Sequence, residues 1–349
     1  MNNTIYLDSG YLDFPFILKF GMAFNFIVGG RGTGKTYGAL QYLYDNKIKF
    51  IYMRRTQTQV DLVVNEQFNP FNTLNRDKGI NVMCQSINKY NKGFYDAHYD
   101  EDKEKYVAKS EPIGYAMALS TISNLRGFDA SDVKVIVFDE FIAERHERPI
   151  KNEADAFLNA YETMNRNREL NGELPIQVLF LANSNNLGNP LFLKLGLIRQ
   201  ASKQFRTGSE FAVLPKRDLT MTILQASKIS QAKSETAIYR LAKNTKFAQM
   251  ALKNKFAYDE EYNVGHQNLK FYKPIVKIED LTIYKHKTEN RYYVSGFCNG
   301  TPKKEYKSAD AERKRFKQQE IYLYRAYLYG KVYFEFYEDQ IDFVSRFET

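Results

Sequence analysis

Residues 24–40 read FNFIVGGRGTGKTYGAL, and no other stretch of the chain constrains its architecture as strongly. An apolar run typical of a buried strand leads into a glycine-rich loop, and a helical pattern follows the loop. This order of strand, loop and helix is the one that a phosphate-binding loop requires. Because glycines let successive backbone N–H groups turn inward around phosphate oxygens, the stretch predicts a nucleoside triphosphate site.

The side chains of the loop fit the same chemistry. Lys35 can reach the terminal phosphates, and the Thr36 hydroxyl can coordinate Mg²⁺. Arg31, inside the loop, can also approach phosphate. The predicted nucleotide-binding segment comprises Gly29, Gly30, Arg31, Gly32, Thr33, Gly34, Lys35, Thr36 and Tyr37.

A second motif, VKVIVFDE at residues 133–140, is a near-continuous apolar run that ends in two acids. Such a run is typical of a parallel strand covered on both faces. Asp139 is placed to hold Mg²⁺ through water, and Glu140 is placed to polarise a water for in-line attack on the γ-phosphate. Many P-loop GTPases and small-molecule kinases lack the second acid, and the chain has no Asn-Lys-x-Asp guanine motif. The pair therefore predicts hydrolysis, with ATP and Mg²⁺ as cofactors.

Polar residues elsewhere are candidates for assisting that reaction. Asn183 ends the apolar run IQVLFLANS, where it is either a sensor of the γ-phosphate or a turn residue. Arg166 and Arg168 are either surface charges or an arginine finger that acts on the nucleotide of a neighbouring subunit. The residues alone do not favour either of these two roles.

Strand patterns alternate with helical patterns as far as about residue 205, and polar residues stand at strand carboxyl ends. This alternation predicts an open α/β fold with a mainly parallel sheet and its site along one edge. Beyond it, residues 219–257 read as a basic helical segment rich in Ala, Lys and Gln. We expect an ATPase domain over 1–205, a helical linker or lid over 206–262, and a smaller α/β domain over 263–349.

The chain has 349 residues and a formal net charge of +9, which favours a polyanionic partner. Residues 214–255 carry nine Lys and Arg against two acids, and residues 303–317 carry seven against three. The two cysteines suggest no disulfide framework, and the four histidines lack ligand spacing. No apolar run reaches the length of a spanning helix. These features predict a cytoplasmic protein without a transition metal or a membrane partner.

The motifs together resemble the DNA-packaging ATPases of phi-29-like bacteriophages, which are relatives of the large terminases. The resemblance is close over residues 20–195. It is carried by VGGRGTGKTY, FIYMRR, VIVFDEFI, RNRE, LANS and the pair Asn189-Pro190.

This resemblance implies a P-loop NTPase domain of the ASCE, RecA-like class that drives double-stranded DNA into an empty prohead. It implies a homomeric ring, a pentamer, docked on the phage portal (connector) in the host cytoplasm. In that family a structural RNA bridges motor and capsid, and the arginine that matches Arg166 acts in trans. Lys35, Glu140, Arg166 and Asn183 are thus the expected catalytic residues, and Thr36 and Asp139 are the expected metal ligands.

The resemblance also implies that residues 263–349 are similar to the RNase H-like nuclease of large terminases. Such a nuclease needs clustered acids to hold two metals. The candidate strand FYKPIVKI has no internal acid, and Glu279 and Asp280 fall only at its end. We therefore expect a vestigial nuclease domain that has lost cleavage. Expected DNA contacts are to phosphates, from Arg145, Arg148, Lys151 and the two basic stretches.

Three rival functions use the same loop. A helicase or another ring ATPase shares the fold, and a small-molecule or nucleoside kinase would not need Glu140 as a water activator. A regulatory nucleotide-binding module would hydrolyse ATP slowly. Stimulation of ATP hydrolysis by duplex DNA separates a packaging motor from the kinase and from the regulatory module.

Overall fold

The computed structural model describes residues 4–125, 127–144, 146–184, 186–224, 228–243, 245, 248 and 263–348. The chain forms two compact units. The first comprises Met1–Lys194 and Lys203–Ala257, and the second comprises Leu195–Ser202 and Tyr258–Thr349. The second unit therefore takes one short segment from the middle of the chain.

A ten-stranded sheet forms the centre of the first unit. Its strands are β1 (Phe24–Val28), β2 (Phe50–Arg54), β3 (Val82–Ser86), β4 (Lys92–Asp100), β5 (Lys105–Ala108), β6 (Gly114–Ala118), β7 (Val135–Asp139), β8 (Gln177–Ala182), β9 (Phe211–Leu214) and β10 (Leu219–Ile223). They lie in the order β3-β4-β6-β2-β7-β8-β1-β10-β9, and β5 pairs with β4. The central strands from β6 through β10 in this order pair in parallel, and the outer strands pair antiparallel. The predicted α/β class with a mainly parallel sheet is confirmed.

Helices precede, connect and follow these strands. They are α1 (Phe14–Leu18), α2 (Lys35–Asp45), α3 (Gln57–Leu62), α4 (Asn72–Lys78), α5 (Glu153–Asn165), α6 (Pro190–Lys194), α7 (Ile198–Thr207), α8 (Lys228–Ser234) and α9 (Ala237–Leu241). Short 3₁₀ turns occur at Glu66–Phe68, Leu119–Leu125, Glu169–Asn171 and Pro215–Arg217. Helix α7 begins in the segment assigned to the second unit and ends in the first. Among the described residues, no helix is both long and apolar enough to cross a membrane.

Burial on both faces explains the apolar runs of the central strands. Every residue of β7 is buried, including Asp139, and so is all of β8 except its first residue. Aromatic rings fill one face, where Phe26 of β1 stacks on Phe180 of β8 with ring centroids 4.1 Å apart. Phe157 of α5 packs against Phe138 of β7 in the same way, at 5.5 Å. Large buried rings on this face of the sheet pack the strands that carry the site against one another.

The expected helical linker over 206–262 is wrong in its first part. Residues 211–214 and 219–223 are strands, and β10 pairs in parallel with β1 from Leu219↔Phe24 to Ile223↔Val28. The sheet of the first unit therefore extends beyond the expected boundary at 205. Thr220 and Thr222 of β10 are fully buried, and the Thr220 hydroxyl donates to Asn25 Oδ1 at 2.7 Å. In the described part of this segment, helices α8 and α9 follow β10, and residues 225–227, 244, 246–247 and 249–262 lie outside the described residues.

A five-stranded sheet forms the centre of the second unit. It contains β11 (Tyr272–Ile278), β12 (Leu281–His286), β13 (Tyr292–Ser295), β14 (Lys304–Tyr306) and β15 (Val332–Phe334) in the order β14-β11-β12-β13-β15. Strands β11 to β13 form an antiparallel meander, and β14 and β15 pair in parallel at its two edges. A 3₁₀ turn, Leu269–Phe271, precedes the sheet. The described helices of the second unit after this turn are α10 (Asp310–Gln319), α11 (Ile321–Leu328) and α12 (Tyr337–Glu348). The second α/β domain is confirmed, and its RNase H-like character stays a prediction.

A buried ion-pair network lies just after β2. Arg55 is 1% exposed, and its Nε and Nη2 donate to the two oxygens of Glu153 at 2.6 and 3.1 Å. Arg55 Nη1 donates to Glu147 at 2.8 Å. The network ties the end of β2 to the start of α5 and to the loop that follows β7. Removal of one partner from such a network leaves an uncompensated buried charge.

Arg55→Ala is expected to lower the free energy of unfolding by about 3–5 kcal/mol, because it strands the buried Glu153 carboxylate. Urea unfolding followed by circular dichroism measures the change. Lys49→Ala is the control, since the Lys49–Asp132 pair has side chains 25% and 47% exposed and is expected to contribute under about 1 kcal/mol. Equal midpoint shifts in the two variants would contradict the role given to Arg55.

Candidate active site

The glycine-rich loop joins β1 to α2 in the conformation that its glycines allow. Gly32 and Gly34 have φ of 71° and 80°, a region that residues with a Cβ seldom adopt. Gly34 is the N-cap of α2 and has no side chain to accept from the first helical N–H groups. These donors and the helix dipole therefore face the loop, which is the arrangement that binds anions.

Lys35 lies at the base of the loop and is buried. Its Nζ donates to the carbonyl oxygens of Gly29 and Gly30 at 3.1 and 2.7 Å, and to Asn183 Oδ1 at 3.3 Å. Burial lowers the pKa of the Lys35 ammonium to about 8, although the Asp139 carboxylate opposes this change. The site thus holds a poorly solvated cation where the terminal phosphates would bind.

Thr36 and Asp139 meet across the site. The Thr36 hydroxyl lies 3.1 and 3.0 Å from the two carboxylate oxygens of Asp139. Tyr52, buried on β2, donates its hydroxyl to Asp139 Oδ2 at 2.9 Å. Hydroxyl and carboxylate oxygens are ligands that Mg²⁺ accepts, so this donor set fits the ion. In the described part of the chain, no cluster of three or more His, Cys, Asp or Glu is arranged to hold a metal, so Mg²⁺ here would need phosphate oxygens and water as further ligands.

Glu140 follows β7 in a left-handed turn, with φ of 56°. Its backbone N–H donates to Asp139 Oδ1 at 3.1 Å, and its carboxylate forms an ion pair with Arg54. Burial raises the pKa of the Glu140 carboxyl, and the Arg54 guanidinium opposes that rise. Arg54 also donates to the Tyr52 hydroxyl at 3.1 Å. A cation at the end of β2 therefore holds the expected water-activating carboxylate.

The structure brings most of the predicted residues to one cleft of about 370 Å³, within the size range of ligand sites. The cleft is lined by Arg31, Gly32, Gly34, Lys35, Thr36, Tyr37, Asp139, Glu140, Glu144, Ala182 and Asn183. Arg31 forms an ion pair with Glu144 at the rim. Thr33 is buried, and its hydroxyl lies 3.2 Å from the Gly30 carbonyl oxygen, within the loop itself.

The two candidate arginine fingers differ in their surroundings. Arg168 is buried and donates to the carbonyl oxygens of Ala130, Ser131 and Val133 at 2.6, 3.0 and 2.8 Å. Its guanidinium therefore holds the loop before β7 in place. Arg166 is exposed and follows α5 with φ of 50°. Only Arg166 presents its side chain to solvent.

Residues that the sequence did not single out also contact the site. Arg54 was visible as the end of the strand pattern KFIYMRR, and the carboxyl ends of parallel strands share one sheet edge. That rule could have placed it near Glu140.

Of the predicted DNA contacts, Arg148 and Lys151 are exposed, whereas Arg145 lies outside the described residues.

The low pKa of Lys35 predicts that this residue destabilises the nucleotide-free protein. Below pH 8 the folded chain bears the cost of a buried ammonium, and as the pH rises from about 8 towards 10.5 that cost disappears. Lys35→Met is therefore expected to raise the free energy of unfolding by about 1–3 kcal/mol at pH 7, with a gain that shrinks towards pH 10.

Urea unfolding of wild type and variant from pH 7 to pH 10 measures this difference. Lys78→Met, at an exposed position in α4, is the matched control and is expected to change stability little at any pH. A Lys35→Met protein that is less stable than wild type at pH 7 would contradict the prediction.

Known proteins similar to this chain are phage DNA-packaging proteins. It is 27% identical over 250 residues to the DNA packaging protein of Bacillus phage phi29, covering 70% of this chain and 65% of that protein. It is 26% identical over 250 residues to the DNA packaging protein of Bacillus phage B103, covering 70% of this chain and 68% of that one. The match to the phi29 protein thus spans less than two thirds of that protein's length.

Two solved structures share the fold. The bacteriophage Phi-29 viral genome packaging motor assembly matches with a TM-score of 0.61 and 21% identity, over 97% of this chain and 100% of that chain. The Phi-28 gp11 DNA packaging motor matches with a TM-score of 0.57 and 21% identity, over 94% and 95%. The model of the Podovirus DNA encapsidation protein (Gp16) family matches residues 8–306. Because this match covers most of the sequence, the chain belongs to the Podovirus DNA encapsidation protein (Gp16) family.

Proposed function

We propose that this chain is an ATPase that moves double-stranded DNA into a phage prohead. The observation that carries the proposal is the single cleft in which Lys35, Thr36, Asp139, Glu140 and Asn183 meet. A phosphate-binding loop beside two consecutive acids supports ATP hydrolysis. Membership of the Gp16 family supports DNA packaging as the work to which hydrolysis is coupled.

In the proposed reaction, the loop N–H groups and Lys35 bind the β- and γ-phosphates, and Thr36 and Asp139 would hold Mg²⁺. The bound ion would neutralise charge on the phosphates. Glu140 orients and polarises the attacking water, and Arg54 keeps its carboxylate beside the cleft. Asn183 acts as the sensor, because its Oδ1 accepts from the same Lys35 ammonium that would bind phosphate.

Arg166 is proposed to act on the nucleotide of a neighbouring subunit. Asn165 Oδ1 accepts from the N–H of Ile176, just before β8, and Arg168 binds carbonyl oxygens just before β7. Arg166 therefore lies at the amino end of these strands, whereas Asp139 lies at the carboxyl end. Five strand residues separate the two edges by about 15 Å, which is too far for a finger acting within one chain.

The remaining partners follow from the same proposal. The motor is a homomeric ring of five subunits on the phage portal, with a structural packaging RNA, in the host cytoplasm. Contacts to DNA are to phosphates, because a motor that moves any sequence cannot depend on base edges. The second unit is proposed to be a nuclease-derived domain that no longer cuts DNA.

Glu140→Gln is expected to bind ATP and to lower the hydrolysis rate at least about 100-fold, because the amide cannot accept a proton from water. Wild-type hydrolysis is expected to rise with double-stranded DNA and to lose this stimulation between low and moderate salt. Steady-state phosphate release with and without DNA measures both effects.

Glu144→Gln is the matched control, since Glu144 lines the same cleft but pairs with Arg31 at its rim. It is expected to retain most activity. Near wild-type hydrolysis by Glu140→Gln would refute the base assignment. Phosphate transfer to a small acceptor without DNA would support a kinase, and separation of a forked duplex would support a helicase.

Arg166→Ala is expected to fold normally and to be inactive as a uniform ring. Mixing it with Glu140→Gln subunits is expected to restore partial hydrolysis, because an Arg166→Ala site then receives its arginine from a Glu140→Gln neighbour. Phosphate release across a series of mixing ratios measures the rescue.

Two controls accompany the mixing experiment. Arg76→Ala removes an arginine whose side chain is 76% exposed, and it is expected to leave activity unchanged. Arg168→Ala is expected to destabilise the protein, because its guanidinium binds three buried or partly buried carbonyl oxygens. If no mixture of Arg166→Ala with Glu140→Gln regains activity, Arg166 is not supplied in trans.

A further inference from the structure

The chain that leaves β10 returns to the phosphate-binding loop. Leu224 is buried, and its N–H donates to the Val28 carbonyl oxygen at 2.8 Å. A Cβ on Gly29 would collide with the Leu224 side chain, so this glycine makes room for the returning chain. Helix α8 begins four residues later, at Lys228. The basic segment that follows the sheet therefore starts beside the loop.

Lys233, in the last turn of α8, reaches the tip of the loop. Its Nζ donates to the carbonyl oxygen of Arg31 at 2.6 Å, across 202 positions of sequence. A Cβ on Gly32 would collide with the same Nζ. The positive φ of Gly32 favours glycine, and the lysine head lies where a Cβ on this residue would be.

The charges around Lys233 favour an anion. Burial lowers the pKa of the Lys233 ammonium, and its charge in turn helps to lower that of Lys35. Within the described residues no carboxylate lies within salt-bridge distance of Lys233. An ammonium carries three N–H donors, and the Arg31 carbonyl accepts one of them. Two cations therefore lie at one glycine loop, and a bound polyphosphate would neutralise their charge.

We propose that Lys233 binds the terminal phosphate of the bound nucleoside triphosphate, so that helix α8 reports whether the γ-phosphate is present. The inference rests on the proposed function of the loop as an ATP site. The contact with the Arg31 carbonyl places Nζ at the loop tip, and Arg31 itself lines the cleft. Cleavage and release of that phosphate removes an acceptor from a residue of α8.

The effect of a residue on ATP affinity compared with ADP affinity distinguishes a γ-phosphate ligand from a residue that only stabilises the loop. A lysine that only stabilises the loop would raise the affinities for ATP and ADP equally, because both nucleotides carry the β-phosphate that the loop amides surround. A lysine that binds the γ-phosphate would raise the affinity for ATP alone. A charge-assisted hydrogen bond of this kind corresponds to roughly tenfold in affinity.

The test measures ATP and ADP affinity by competition against a fluorescent ADP analogue in the presence of Mg²⁺. All proteins carry Glu140→Gln so that ATP is not consumed. Lys233→Ala is expected to weaken ATP binding about tenfold and ADP binding less than twofold. Lys233→Met is the second variant, because it keeps the aliphatic stem and its packing while removing the charge. Lys243→Ala, an exposed lysine of the same segment, is expected to change neither affinity.

The outcomes separate this inference from the proposed function. If the parent protein binds ATP and ADP but both Lys233 variants leave the ratio of the two affinities unchanged, the inference is wrong and the ATP site stands. If the parent binds neither nucleotide, the proposed function itself fails. Selective loss of ATP affinity in both Lys233 variants, with none in Lys243→Ala, supports the role of Lys233.

Discussion

The parallel register of β1, β7 and β8 is the constraint on which the site depends. Asp139 pairs with Leu181 of β8, and Ala182 of β8 pairs with Val28 of β1, so the three strands end level with one another. The glycine loop, the acidic pair and Asn183, which stand at the carboxyl ends of these strands, are thereby brought to one edge. A slip of one residue in β7 would turn Asp139 to the opposite face of the sheet. The buried aromatic rings on these strands oppose such a slip, since each would lose its packing.

Charge is concentrated at this edge at a cost to the nucleotide-free protein. Lys35 is buried with a lowered pKa, and Lys233 adds a second cation to the same loop. The carboxylates of Asp139 and Glu140 offset part of this charge, but Asp139 is already engaged by Thr36 and Tyr52. A site with unneutralised positive charge binds an anion more tightly than a site whose cations are already paired with carboxylates of the protein. Under the proposed function, the same imbalance gives the cleft a preference for triphosphate.

The sequence was informative where one local pattern determined the structure. Strands β7 and β8 were predictable because burial on both faces makes them continuous apolar runs, and the glycine loop was predictable because few residue types can form it. Strand β10 was missed, since LTMTI is short and its two threonines are buried against neighbouring strands, while the basic residues after it suggested a helix. The contacts of Arg54 and Lys233 join residues 86 and 202 positions apart, and no local pattern encodes them.

The placement of Arg166 sets a requirement on assembly under the proposed function. Asn165 and Arg168, which bracket it, are both buried and both bind backbone groups at the amino edge of the sheet. Arg166 therefore stands between two buried anchors, with a φ of 50° that is unfavourable for an arginine. Under the proposed function, a residue at the edge opposite its own cleft would act on the site of another chain. Hydrolysis would then depend on contact between subunits. Lys233 would bind the γ-phosphate of the nucleotide in its own chain, and the arginine of the neighbouring subunit would help to cleave that nucleotide.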